Sequence, residues 1–279
     1  MVLLLFFIVP VLVGAYTYLK KSYTASIAAE NAYQILKSNL NKHRSEASPG
    51  TPYLEGDDGS QLIVMGDHLA IDLIYALKEN DQSSTITYMP CTDLCFHFGA
   101  SAIDPKDQAD CVRQSVKYIT QKIWHQADAV FLHDQWAVEN FGSLKEFLKA
   151  LRLKTEAPIF VFGPRFSFTK PVKEVQKAMV KIDSMERPSR ILEYTDVREK
   201  MAFDQRINEF FMQSKLGMIG IHYISLLDEE AVEKLSIPHR IESYYYDQSY
   251  LNKNGAAALG SWLKSVHPHL FQVSNAYRH

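Results

Sequence analysis

Four short stretches of this chain carry residue types that do chemistry, and each follows an apolar run. They are Gly66-Asp67-His68, His133-Asp134-Gln135-Trp136, Gly163-Pro164-Arg165 and the segment around Asp247. A carboxylate next to an imidazole suits two kinds of chemistry. One is acyl transfer, where a carboxylate orients a histidine that activates a hydroxyl. The other is metal-assisted hydrolysis, for which His133 and Asp134 would join Asp67 and His68. A two-metal phosphoesterase needs further His and Asn motifs after later strands, and the sequence has none, so no metal is expected. Arg165 has the fork geometry to meet an anionic sugar or carboxylate, or is a surface charge. Trp136 and the run Tyr244-Tyr245-Tyr246 offer flat faces that stack on sugar rings. Core packing is the plainer expectation for at least two of those tyrosines.

The three cysteines, Cys91, Cys95 and Cys111, lack zinc-finger spacing. A Cys91–Cys111 bridge would close about 20 residues and stabilise by ~3 kcal/mol in an oxidising compartment. Three reduced core thiols are the alternative.

The elements that must position these residues alternate in type. Leu62 to Met65, Ala129 to Leu132 and Pro158 to Phe162 are short continuous apolar runs, the pattern of strands buried on both faces. Ser84 to Tyr88 and Met218 to Ser225 read as further strands, with one more over Arg240 to Tyr244. Helical spacing follows Gly66 (Leu69, Leu73, Ile74, Leu77) and recurs over residues 108–126, 142–154, 170–182, 196–214 and 254–266. Such alternation implies a parallel sheet with helices on both faces, whose active centre lies at the carboxyl ends of the strands.

The 279 residues are 47% apolar, enough for a sizeable core. The formal net charge of −2 leaves no overall basic excess for nucleic acid. Residues 1–18 contain no charge and precede Lys20 and Lys21. At about 1.5 Å per residue they span most of a ~30 Å hydrocarbon core, so residues 1–21 are read as a membrane anchor. A cleaved signal peptide would want a basic start. Residues 22–60 read as a juxtamembrane helix followed, from residue 43, by a Pro/Gly/Ser-rich linker, and residues 61–279 as the folded domain. Lys20 and Lys21 favour a cytoplasmic domain and the cysteines favour the opposite side. Upstream spans, if the chain is a piece of a longer protein, would set the orientation instead.

The first and last blocks carry a resemblance. The run from Leu62 through Gly66-Asp67-His68-Leu69-Ala70 to Ala76-Leu77 resembles the first block of SGNH hydrolases. More closely, it resembles the SGNH domain fused to acyltransferase family 3 membrane proteins that O-acylate bacterial polysaccharides. There the block reads Gly-Asp-Ser-His-Ala, so His68 stands at the nucleophile position. The run Asp247 to Ala256 is similar to that family's last block, Asp-x-x-His-Leu-Ser-x-x-Gly-Ala. Asp247, Leu251, Gly255 and Ala256 match, Tyr250 stands at the histidine position and Asn252 at the following serine. Pro90-Cys91, Cys111, Trp136 and Gly163-Pro164 also fit the family's order, and the amino-terminal segment resembles its last membrane span.

The resemblance implies a three-layer α/β/α sandwich with a mainly parallel, flavodoxin-like sheet, and a Cys91–Cys111 disulfide. It implies a membrane-anchored domain on the periplasmic or extracytoplasmic side. The partners it implies are a cell-surface polysaccharide and an integral membrane acyltransferase, and no cofactor is called for. Of the catalytic set only Asp247 is retained. An acyl-imidazole on His68 would be labile, and Tyr250, with an ordinary pKa of about 10, is no base at neutral pH. Losing a triad member typically costs ~10⁴-fold or more. The expectation is therefore a non-catalytic relative that keeps the Gly66-Asp67 turn, Trp136 and Arg165 for binding. The alternative is an active acyltransferase or esterase with rearranged residues, in which Ser249 would need His133 or His97 as its base.

Overall fold

A computed structural model describes residues 52–54, 60–67, 69–80, 84–90, 122–134, 136, 141–183, 186–228, 231–232, 235, 244–245 and 248–271. The chain divides into two compact units, Met1–Ala47 and Ser48–His279. The expected anchor, juxtamembrane helix and all three cysteines lie outside the described residues. Among the described residues no helix is long and apolar enough to cross a membrane.

The second unit is an α/β fold. Its strands are β1 (Pro52–Leu54), β2 (Gln61–Gly66), β3 (Thr85–Pro90), β4 (Ala129–His133), β5 (Ile159–Phe162) and β6 (Ile221–Ile224). Its helices are α1 (Leu69–Asn80), α2 (Phe141–Arg152), α3 (Val172–Val180), α4 (Arg187–Leu192), α5 (Val197–Gln213) and α6 (Lys253–Val266). The six strands lie in the order β1-β3-β2-β4-β5-β6. All neighbours are parallel except β1, which runs antiparallel to β3. Among the five parallel strands the order therefore reverses between β2 and β4, which is the doubly wound arrangement.

Strand alternation distributes the core over two faces. Ile63, Met65, Val130, Leu132, Ile159, Val161 and Ile221 pack with Leu144, Phe147, Leu148 and Leu151 of α2 and with Ile207 and Phe211 of α5. Their neighbours Leu62, Val64, Phe131, Phe160 and Phe162 point the other way and are also buried, as strands covered on both faces require. On that second side α1 packs against β2 and β4, and α6 lies along α1. Gly260 permits the approach, because a Cβ there would strike the carbonyl of Ala76. Asn80 at the end of α1 donates to Ala257 at 3.4 Å, and Lys264 donates to the Asn80 carbonyl at 3.0 Å.

Several boundaries differ from the sequence reading. Pro52 to Leu54, read as linker, pair with β3; Pro is tolerated there because the strand is an edge. Of the helix expected over residues 108–126, residues 108–121 lie outside the described residues, and Lys122–Gln126 form a 3₁₀ turn. Met218 and Ile219 belong to a 3₁₀ turn that precedes β6 rather than to the strand. Of the strand expected over Arg240 to Tyr244, residues 240–243 lie outside the described residues; Tyr244 lies outside the sheet, and Tyr245 makes an isolated bridge to Leu251. The six-residue α4 was not foreseen.

Candidate functional site

The reversal of strand order places the carboxyl ends of β2 and β4 at the opening of the sheet, where doubly wound folds bind ligands. Gly66 closes β2 with φ of +149°. A Cβ there would strike the carbonyl of His133 on β4 and come within 2.9 Å of the Ala70 Cβ. Only glycine meets both the dihedral and the close approach. Asp67 follows, wholly buried. Its Oδ1 accepts from the Leu69 N–H at 2.7 Å and its carbonyl from Ala70 N–H at 3.2 Å, a local turn that leads the chain into α1. The Tyr88 hydroxyl lies 3.2 Å from the Gly66 carbonyl and 3.0 Å from that of Asp67, tying β3 to the same turn. His68, at the nucleophile position of the first block, lies outside the described residues.

His133 is the register partner of Gly66. It is buried, with its ring edge-on to Phe162 at 6.3 Å, and Asp134 after it is buried too. Two carboxylates, Asp67 and Asp134, thus sit out of water at the ends of adjacent strands. Among the described residues no group of three His, Cys, Asp or Glu side chains is arranged to hold a metal ion. Trp136 donates its indole N–H to the Phe162 carbonyl at 2.8 Å and packs half-buried against the core.

Arg165, two residues past Gly163, turns inward. Its Nη2 donates to Asp72 Oδ2 on α1 at 2.7 Å and also to the Ser249 carbonyl. Asp72 Oδ2 accepts in addition from the Leu251 N–H at 3.1 Å. Arg165 is only 5% exposed, so its charge is engaged within the fold rather than displayed on the surface. The helix after the first block and the segment of the last block are thereby joined through one side chain. Phe166 and Phe168 add ring contacts to Tyr245 at 6.3 and 5.0 Å, and the Phe168 N–H donates to the Gln248 carbonyl at 2.8 Å. Tyr244 and Tyr245 are buried, and burial pushes the Tyr245 hydroxyl well above its ordinary pKa, with Arg165 opposing the rise and Asp72 adding to it.

Tyr250 is half-buried next to this junction, whereas Asp247 and Tyr246 lie outside the described residues. Asn252 caps α6: its Oδ1 accepts from Asn254 N–H at 2.9 Å and Gly255 N–H at 3.1 Å. Gly255 is required because a Cβ there would strike the Tyr244 carbonyl.

One polar cluster escaped the sequence reading. Asp204 on α5 accepts from Tyr223 at 2.5 Å and from Ser225 at 2.8 Å, beside Gly163 at the ends of β5 and β6. Burial raises the Asp204 carboxyl above its usual range, and the Tyr223 and Ser225 hydrogen bonds partly counter it. Twenty-one residues separate Asp204 from Ser225, and no motif spacing links them.

The arrangement offers buried carboxylates at a switch point and a tight polar clasp between the first and last blocks. Compared with known proteins, the chain matches no family model and no curated protein.

Proposed function

We propose that residues 61–279 form a degenerate SGNH-like domain that binds a glycan, or supports a membrane acyltransferase, in O-acylation of a cell-surface polysaccharide. In this reading the domain is non-catalytic and membrane-anchored on the extracytoplasmic side. The observation that carries it is the Arg165 bridge between Asp72, five residues after Asp67, and the Ser249 carbonyl, two residues after Asp247. The two sequence blocks that resemble the family are held together at the carboxyl edge of the sheet. The doubly wound strand order and the Gly66-Asp67 turn support the same reading.

The test uses the full chain in detergent. Labelling by a serine-reactive fluorophosphonate and hydrolysis of a chromogenic acetyl ester are both expected at background, while polysaccharide retention is expected above a neutral protein control. Clear ester hydrolysis lost on Ser249→Ala would replace this reading with that of a rearranged acyltransferase or esterase.

A further inference from the structure

The helix that follows the clasp carries a charge pattern at odds with the chain as a whole. Residues 170–181 read KPVKEVQKAMVK, four lysines against one glutamate, in a chain of net charge −2. Val172, Val175 and Met179 of α3 are buried against the fold. Lys173, Lys177 and Lys181 recur every fourth residue on the opposite side, with Lys170 one turn before them, and all four are exposed. Lys173 to Lys181 spans about 12 Å at ~1.5 Å per residue, so the ammonium groups form a row with steps of about 6 Å. Among the described residues Lys173, Lys177 and Lys181 make no ion pair. Nearby Arg190, by contrast, is paired with Glu193 at 2.8 Å. Lys170 lies over the Tyr194 ring at 5.4 Å.

Helix stability accounts for only part of this row, because Lys177 and Lys181 stand at the carboxyl end, where cations favour the helix dipole. Cations at a helix start oppose the helix dipole, and Lys170 and Lys173 stand there. Four like charges within three turns also repel one another. The row is placed with respect to the candidate site, because α3 leaves directly from the Phe166–Phe168 loop that grips Tyr245 and, in the last block, Gln248.

We infer that the lysine face of α3 is a docking surface for an anionic polysaccharide, such as a uronic-acid polymer, running beside the carboxyl edge of the sheet. This rests on the reading of the domain as a glycan-binding one and adds the charge class of the glycan. A polyanion with regularly repeated carboxylates complements a regular row of ammonium groups. A lipid surface fits less well, since an interfacial helix buries its apolar face among acyl chains and that of α3 is buried in the protein. The overall charge of −2 opposes any polyanion alike, so a glycan is preferred to nucleic acid on the glycan-binding reading and not on charge.

The test places the full chain in nanodiscs of neutral phosphatidylcholine and measures binding to polygalacturonate and to neutral dextran. The wild type is expected to bind polygalacturonate in preference to dextran. Its binding should weaken several-fold as salt rises from about 0.05 to 0.3 M. Lys173→Glu/Lys177→Glu/Lys181→Glu is expected to weaken it roughly tenfold or more, with an unchanged thermal midpoint. Equal binding of polygalacturonate by variant and wild type would overturn the inference. Dextran retained as strongly as polygalacturonate by the wild type would overturn it while leaving the glycan-binding reading standing. Binding of neither polymer would remove both. A charge-reversal effect confined to nanodiscs containing phosphatidylglycerol would assign the row to lipid instead.

Discussion

Arg165 Nη2 and Asp72 Oδ2 stand 2.7 Å apart with both side chains almost fully withdrawn from water, joining the loop after β5 to the helix after β2. A buried pair is costly to break singly, because the remaining charge keeps its desolvation penalty. Asp72→Ala is expected to destabilise by about 3–5 kcal/mol. The double variant Arg165→Met/Asp72→Leu should be less destabilised than Asp72→Ala. Urea unfolding of the three proteins checks this, and a double variant that is the least stable of them would show that the hydrogen bonds to Ser249 and Leu251, rather than the charge pairing, dominate.

Gly66 and Gly142 make a contrasting pair. At Gly66 the φ of +149° and the His133 carbonyl leave no room for a Cβ, so Gly66→Ala is expected to cost about 3 kcal/mol or more. Among the described residues nothing lies within 4 Å of a Cβ at Gly142 in α2, so Gly142→Ala should stabilise by about 0.5–1 kcal/mol. Thermal midpoints should move in opposite directions.

Asn252 is expected to act through its side-chain oxygen. Asn252→Ala should lose about 1 kcal/mol, and Asn252→Asp should retain most of it, since either oxygen accepts from the Asn254 and Gly255 N–H groups. Equal loss in both variants would point to the amide's NH₂ group instead.

Stability is expected to fall on acidification through the histidine range. Burial holds His222 below its ordinary pKa, and the His269 charge adds to this. His267 is lowered by burial and then by His269, with Asp228 opposing. A depressed folded value means that the unfolded chain binds more protons below about 6.5. This stabilisation is therefore present above that pH and is lost as pH falls through the folded values. The urea midpoint should drop between pH 8 and pH 5, and drop less in His222→Gln/His267→Gln. An unchanged pH response in the variant would assign the drop to other groups.

The strands were the most legible part. Leu62 to Met65, Ala129 to Leu132 and Ile159 to Phe162 are apolar at every position because both faces of those strands are covered, and continuous burial leaves a continuous apolar run. The helices α1, α2, α3, α5 and α6 were readable for a related reason: one face of each meets the sheet or another helix, and the 3.6-residue period records it. The Gly66-Asp67 turn was also visible, as glycine is the residue that such a backbone demands.

Tertiary structure alone decided the rest. Arg165 read equally as a ligand-binding or surface cation, because a charge carries no mark of its partner; Asp72 lies 93 residues away. Trp136 read as a flat face for a sugar ring, and nothing in the sequence marked that its indole N–H meets the Phe162 carbonyl 26 residues away. Asp204, Tyr223 and Ser225 left no pattern, since contacts between a helix and the end of a strand follow from packing rather than spacing. By itself the sequence determined the central strands, the longer helices and which turn needs glycine, since these depend on neighbours in the chain. The fold determined which charges are buried in pairs and which remain in water, because that depends on residues brought together from far along it.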